Sequence, residues 1–555
     1  MQKRIVSLFV VSLLLGALML LVACRQEQTQ PAPATPAPVA TPGPAASAAT
    51  PAPEVPVELP PPYPIVTDGS VTLRYWMPID SAALAFITSK AENIAYQLIQ
   101  ERTGINIDFI HPVAGEAQQT FNLMMVSGDL PDIINGGHLY VGGELQGVLD
   151  GVFVDLAPYL PTLAPDYWAL ITSDELLQRM VFSVDGMVPA FYRILENPIP
   201  VAHRPVVRTD WIEELGLEFE VGVPKTLDEF EMYFQAILDN MPGVAPFLLP
   251  HQTPPHVSNE VWYGAFDILP YFFLDHDGRV AHGFSHPRMR DYLTLMNDWF
   301  ERGFIHREFA AMEGGQQWAE FTTGQIASIT QAVGVTLGRA DEAGFPINST
   351  PLPRRYHHSR VHTRIADWPR GGEITVVASC SRYREYAIRF LNFGYTPEGA
   401  MIYNFGVEGV TFNIIDGEPV LSDYILNHPV FDAGAANSIL RIHFAPNLVT
   451  HDPTVFNPVL ARDPRAVELR LRWDDDPNVD QAFRIPPIAL TAEESERRAS
   501  IMANVNTLAA EMILRFIMGS EPLDNFDSYV EQLERFGINE AIQITQDAFD
   551  RFMGR

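Results

Sequence analysis

The stretch 71–109 constrains the fold of this chain more than any other. Val71, Leu73 and Tyr75 alternate with Thr72, Arg74 and Trp76, the period of a half-buried strand. Residues 82–102 read as a helix that Gly104 stops, and Ile105, Ile107 and Phe109 then alternate again. Strand, helix and strand in that order predict a right-handed parallel crossover, and hence an α/β sheet. A helix over 118–126 and a short strand over 132–134 continue the alternation. Farther on, Thr226-Leu227-Asp228-Glu229 and Thr491-Ala492-Glu493-Glu494 are capping boxes, each predicting a helix start. The second opens a long helix carrying Met502, Val505, Leu508, Met512 and Phe516 toward a stop at Gly519. The expectation is an α/β protein with a helix-rich C-terminal half.

The N-terminus reads differently. Lys3 and Arg4 precede a charge-free run from Ile5 to Ala23, the layout of a secretory signal. The run ends in Leu21-Val22-Ala23-Cys24, which resembles the lipobox of bacterial lipoproteins. That resemblance implies cleavage before Cys24, acylation of its thiol, and anchoring at the extracellular face of the bacterial cell membrane. Residues 25–64 hold thirteen prolines and nine alanines, a composition that builds no core and suits an extended tether. The folded part is therefore expected over 65–555. No other stretch is apolar enough to span a bilayer.

Composition narrows the function classes. The 555 residues carry a formal charge of −31, which repels phosphate backbones and argues against nucleic acid as a partner. Two cysteines exclude a disulfide scaffold, and Cys380, after an apolar run, reads as a buried free thiol. The chain holds no G-x-S-x-G, H-E-x-x-H, P-loop or G-x-G-x-x-G motif. His357, His358 and His362 lie near prolines with no paired acids, and Asp474, Asp476, Asn478 and Asp480 lack the glycine and glutamate of a calcium loop. Neither a metal nor a cofactor is expected.

A collinear series of short segments points to one family. Ser127-Gly128-Asp129-Leu130-Pro131-Asp132-Ile133, Gly151-Val152-Phe153-Val154-Asp155-Leu156 and Arg208-Thr209-Asp210-Trp211 are followed by Val223-Pro224-Lys225-Thr226-Leu227-Asp228-Glu229-Phe230. Glu385 to Phe393 with Glu398-Gly399, then Asn404 to Gly409 and Phe516 to Gly519, complete it. Together they resemble the extracellular solute-binding proteins, family 1, of ABC importers, in their long saccharide-associated lipoprotein branch. The resemblance implies a type II periplasmic-binding-like fold, two α/β lobes around a ligand cleft. Lobe one is expected at 65–200 plus 340–396, and lobe two at 201–339 plus 397–555. It further implies a monomeric, non-catalytic binder that closes on an oligosaccharide or similar solute and hands it to ABC permease subunits. Many relatives carry a calcium-binding insertion after the helix that Thr226 caps; here Leu238 to Pro246 offers too few oxygen ligands. A secreted glycoside hydrolase and a surface sugar sensor or adhesin are the alternatives.

Sugar recognition needs flat apolar faces and planar polar side chains. Trp76 and Asp80 end the first strand, and Asn135, His138 and Tyr140 follow the third, where such a cleft begins. Trp262, Trp318 and Trp368 are further aromatic candidates. Arg354, Arg355, Arg360, Arg364 and Arg370 form a basic run in an acidic chain, so Arg360 and Arg364 are candidates for an anionic sugar. The plainer reading is that these arginines neutralise acids of the same chain.

Overall fold

A computed structural model describes residues 63–79, 86–113, 115–195, 203–251, 257–312, 314–362, 368–430, 449–450, 463–473, 476–480 and 482–554. Cys24, Asp80 and Arg364 lie outside the described residues.

The opening crossover forms as its sequence predicts. Strands β1 (Thr72–Trp76) and β2 (Asn106–Ile110) pair in parallel, and β3 (Ile133–Asn135) pairs in parallel on the other side of β1. The connecting helix starts later than its hydrophobic pattern suggests, at Ile94–Thr103. The reason is local: Asn93 Oδ1 accepts from the Ala95 and Tyr96 amides, while Ser89 and Glu92 close a separate capping box one turn earlier. Gly104 ends the helix at φ 72°, and a Cβ there would lie 1.9 Å from the Val66 carbonyl oxygen, so glycine is required twice over.

The sheet is completed by β4 (Phe191–Leu195), β12 (Arg370–Val377) and β15 (Val449–Thr450), in the order β15-β4-β12-β3-β1-β2. Within it β12 alone runs antiparallel to its neighbours. A second, four-stranded sheet has the order β10-β5-β9-β6, formed by β5 (His203–Arg208), β6 (Ala245–Leu248), β9 (Ile326–Ala332) and β10 (Ile347–Ser349). Three two-stranded pieces remain. These are hairpin β7 (Phe272–Leu274) with β8 (Val280–His282), the parallel pair β11 (Val361–His362) with β16 (Val479–Asp480), and hairpin β13 (Phe412–Ile415) with β14 (Glu418–Leu421). Both capping boxes are present, and the second opens the 26-residue helix Ala492–Ile517.

Each large sheet has its own hydrophobic core. One runs from Val71 to Ile194 and resumes from Ile374 to Tyr403. The other runs from Val206 to Val361 and resumes from Ala466 to Ala541. Along the chain, the first core thus gives way to the second between Ile194 and Val206, the second to the first between Val361 and Ile374, and the first to the second again between Tyr403 and Ala466. Two expected boundaries differ from this packing. Residues 345–361, grouped with lobe one by their sequence, pack in the second core through Phe345, Ile347 and Leu352. Ile402 and Tyr403 pack in the first, and Phe405, Phe412, Leu421 and Ile425 form a small satellite beside Ile87. Apolar periodicity announces a strand but not the sheet it joins, and β10 is claimed by antiparallel pairing to β5. Among the described residues no helix is long and apolar enough to cross a membrane.

Candidate functional site

Because β1, β2, β3 and β4 run in one direction, their carboxyl ends share an edge with the start of β12. That edge carries Trp76, Asn135, Leu195 and Arg370, the place where α/β sheets bind ligands. Beside it lies a cavity of about 530 Å³, inside the size range of small-molecule sites. Glu144, Met180, Tyr192 and Arg370 form one wall; Phe272, His282, Phe284, Arg498 and Met502 form the other. The walls come from different cores: Met502 and Phe284 pack with the second, Tyr192 with the first.

Polar groups in this cavity fall into two kinds. Glu144, in the first turn of helix Gly143–Leu149, is saturated: its Oε1 accepts from the Tyr192 hydroxyl at 2.8 Å and from the Arg370 guanidinium at 2.6 Å. The same guanidinium lies 4.0 Å above the Tyr192 ring. Burial pushes the Tyr192 phenol well above its usual pKa, so this hydroxyl remains a donor. Arg498 is the opposite case. Among the described residues it has no carboxylate partner, only Thr545 Oγ1 at 3.5 Å, and burial draws its pKa down to about 10 against the pull of Glu494. Glu494 itself is paired with Arg551. His282 is fully buried, its Nδ1 makes no hydrogen bond, and burial lowers its pKa to about 3, so it is neutral. A half-buried aromatic surface beside a guanidinium without a carboxylate partner suits a polyhydroxyl ligand. Acid–base hydrolysis wants two facing carboxyl groups. Glu144 is the one carboxylate among the described residues of this lining.

The residues singled out by sequence scatter. Trp76 is buried to 1% exposure, edge-on to Phe121, beneath the 135–140 loop. Gly136 rests directly on it: a Cβ there would come within 2.8 Å of the indole. Asn135 closes β3 opposite Thr375, His138 is exposed, and the Tyr140 hydroxyl donates to Asp150 at 2.7 Å. Trp262 is a core residue, fully buried among Phe230, Phe247 and Trp299, its indole N–H donated to Thr330. Its three aromatic neighbours enclose it where no ligand reaches. Trp318 lies under the Arg339 guanidinium, and Trp368 under that of Arg484. None of these lines the cavity. Cys380, expected buried, is exposed in the turn after β12, because the apolar run ends at Ala378 and the chain bends outward.

The basic run largely takes the plainer course. Arg354 is fully buried and paired with Asp476; Arg355 meets Asp291 at 3.3 Å, Arg360 meets Asp480 at 3.4 Å, and Arg370 meets Glu144. Asp476 and Asp480, read from sequence as a solvated acidic turn, are two of those partners. Of the described arginines of the run, only Arg370 borders the cavity. Glu144, Tyr192, His282 and Arg498 went unnoticed. Arg498 alone left a trace, as a cation among Met502 and Val505 on the long amphipathic helix.

No protein-family model matches the chain. It is similar to lipoprotein LipO of Bacillus subtilis, 23% identical over 350 residues, 58% of this chain and 64% of that relative, so this match spans less than two thirds of LipO. It is also similar to the fructooligosaccharide ABC transporter substrate-binding protein FusA of Streptococcus pneumoniae, 20% identical over 83% of this chain and 87% of FusA. Among solved structures, alginate-binding protein AlgQ2 without calcium ion matches with a TM-score of 0.74 at 22% identity, covering 87% of this chain and 99% of AlgQ2. FusA in complex with kestose matches with a TM-score of 0.72 at 17% identity and the same coverage.

Proposed function

The chain has the fold of extracellular solute-binding proteins, and from that premise we propose that it is the membrane-tethered substrate-binding protein of an ABC importer. It closes on an oligosaccharide in the cavity between its two cores and releases it unchanged to permease subunits. The observation that carries this reading is the cavity itself: both cores contribute a wall, so a hinge motion between them opens and closes it. Tyr271 and Phe272, half-buried aromatic residues of the lining, offer apolar surface; Arg370, Arg498 and Asn506 offer donors for hydroxyls. The protein acts as a monomer, anchored through acylated Cys24 at the extracellular face of the membrane, with residues 25–64 as tether.

A calorimetric and thermal-shift screen over neutral and acidic oligosaccharides tests the proposal. A ligand at 100 times Kd should stabilise the fold by about 2.7 kcal/mol through linkage. Small-angle scattering should show a smaller radius of gyration with ligand bound. Recovery of a cleaved sugar would favour the hydrolase reading instead. Mass spectrometry of the N-terminal peptide tests the anchor, and a retained Met1 would sink it.

A further inference from the structure

His362 is fully buried; its Nδ1 has no hydrogen-bond partner, and its Nε2 meets a carboxylate without an aligned hydrogen bond. Buried polar atoms without partners are rare and call for an explanation. Its Nε2 lies 2.8 Å from Asp267 Oδ1, and His276 Nε2 lies 3.7 Å from Asp267 Oδ2. One ligand atom from each of the three residues falls within 4.8 Å of the other two. A tetrahedral zinc ion with bonds of about 2.0–2.1 Å holds its ligand atoms about 3.4 Å apart, so small side-chain adjustments bring three donors lying within 4.8 Å of one another onto one ion. We propose that Asp267, His276 and His362 form a binding site for a divalent metal of the zinc class, a site separate from the sugar cavity.

The three side chains arrive from separate elements and are held by them. Asp267 ends a short 3₁₀ turn at φ 56°, His276 sits in the β7–β8 turn, and His362 ends β11. The Phe483 ring stacks on His362 at 3.5 Å and meets His276 edge-on at 5.0 Å, fixing both imidazoles. Two imidazoles and a carboxylate are a zinc-type donor set, with a fourth position left for water. Asp480, opposite His362 in the β11–β16 register, adds negative charge beside it. Arg288 is the competitor: its guanidinium pairs with Asp267 and lies 3.5 Å from His276 Nε2. That side chain is 40% exposed and can turn to solvent as the metal enters. The bound ion would tie the β7–β8 hairpin to β11. Phe272 and His282 of that hairpin stand in the cavity wall, so the metal would stiffen one side of the ligand site.

Equilibrium dialysis of chelator-treated full chain, made without a histidine tag, against zinc decides the matter. One zinc per chain is expected, and cobalt in its place should give the intense visible absorption of a tetrahedral complex. His276→Ala, at an exposed position, should weaken zinc binding at least tenfold while the apo melting temperature stays put; His357→Ala should leave binding unchanged. Arg288→Ala removes the competitor and should tighten binding. Absence of saturable binding at micromolar zinc, or affinity unchanged in both His276→Ala and Asp267→Asn, would overturn the site.

Discussion

The cavity and the ledge where 354–362 meets 476–480 are both assembled from charged residues far apart in the chain, yet they treat charge differently. On the ledge, opposite charges close on one another: Arg354 with Asp476, Arg360 with Asp480. In the cavity only Glu144 and Arg370 do so, while Arg498 keeps donors without a carboxylate and the buried His282 keeps a nitrogen without a hydrogen bond. A closed charge pair holds structure, and an open donor in a cavity is available to a ligand. The lesson is that a run of arginines and a run of aspartates, each suggestive alone, supply partners to one another at two places.

The comparison breaks most readily at Arg354. Arg354→Ala removes a fully buried guanidinium and leaves the largely buried Asp476 without its cation, so urea unfolding should show a loss of about 3 kcal/mol. Arg354→Met, which restores packing, should recover part of it. A loss under 1 kcal/mol would mean that the ledge does not depend on closed pairs.

Acid tests the open imidazole of the cavity. His282 has its pKa lowered from 6.5 to about 3, so the unfolded chain binds the proton first. Its contribution to stability is therefore complete above pH 6.5 and is lost as pH falls toward 3. Between pH 7 and 5 the loss amounts to about 2 kcal/mol, by linkage. Denaturation of His282→Gln across that range should show a shallower pH slope than the parent; equal slopes would contradict the assignment.

Glu144→Gln sharpens the comparison from the ligand's side. It removes the charge that holds the Arg370 guanidinium over Tyr192, and oligosaccharide affinity should fall about tenfold, near 1.4 kcal/mol. Unchanged calorimetric Kd would place the ligand elsewhere. The smallest effect is expected at Arg360, whose side chain is 73% exposed: Arg360→Ala should move stability by no more than about 0.5 kcal/mol. It should leave ligand affinity untouched, since Arg360 does not line the cavity.

Local chemistry was legible in the sequence because local signals need only neighbours. The capping boxes at Thr226 and Thr491, the alternation in β1 and β2 and the stop at Gly104 all lie within a few residues of what they control. The collinear motifs pointed to the family's fold for the same reason. The cavity was not legible: Glu144, Tyr192 and Arg370 meet through pairing of distant strands, Arg498 faces them from the other wall, and no spacing along the chain encodes that meeting. Aromatic residues were the poorest guides, since Trp76 and Trp262 are as useful to a core as to a sugar, and burial alone separates the two uses. Which sheet takes β10, which acid neutralises each arginine and which imidazole is left without a hydrogen bond were decided by tertiary packing. Those choices depend on contacts between segments tens to hundreds of residues apart, where pairing and exclusion of water, rather than propensity, set the energy.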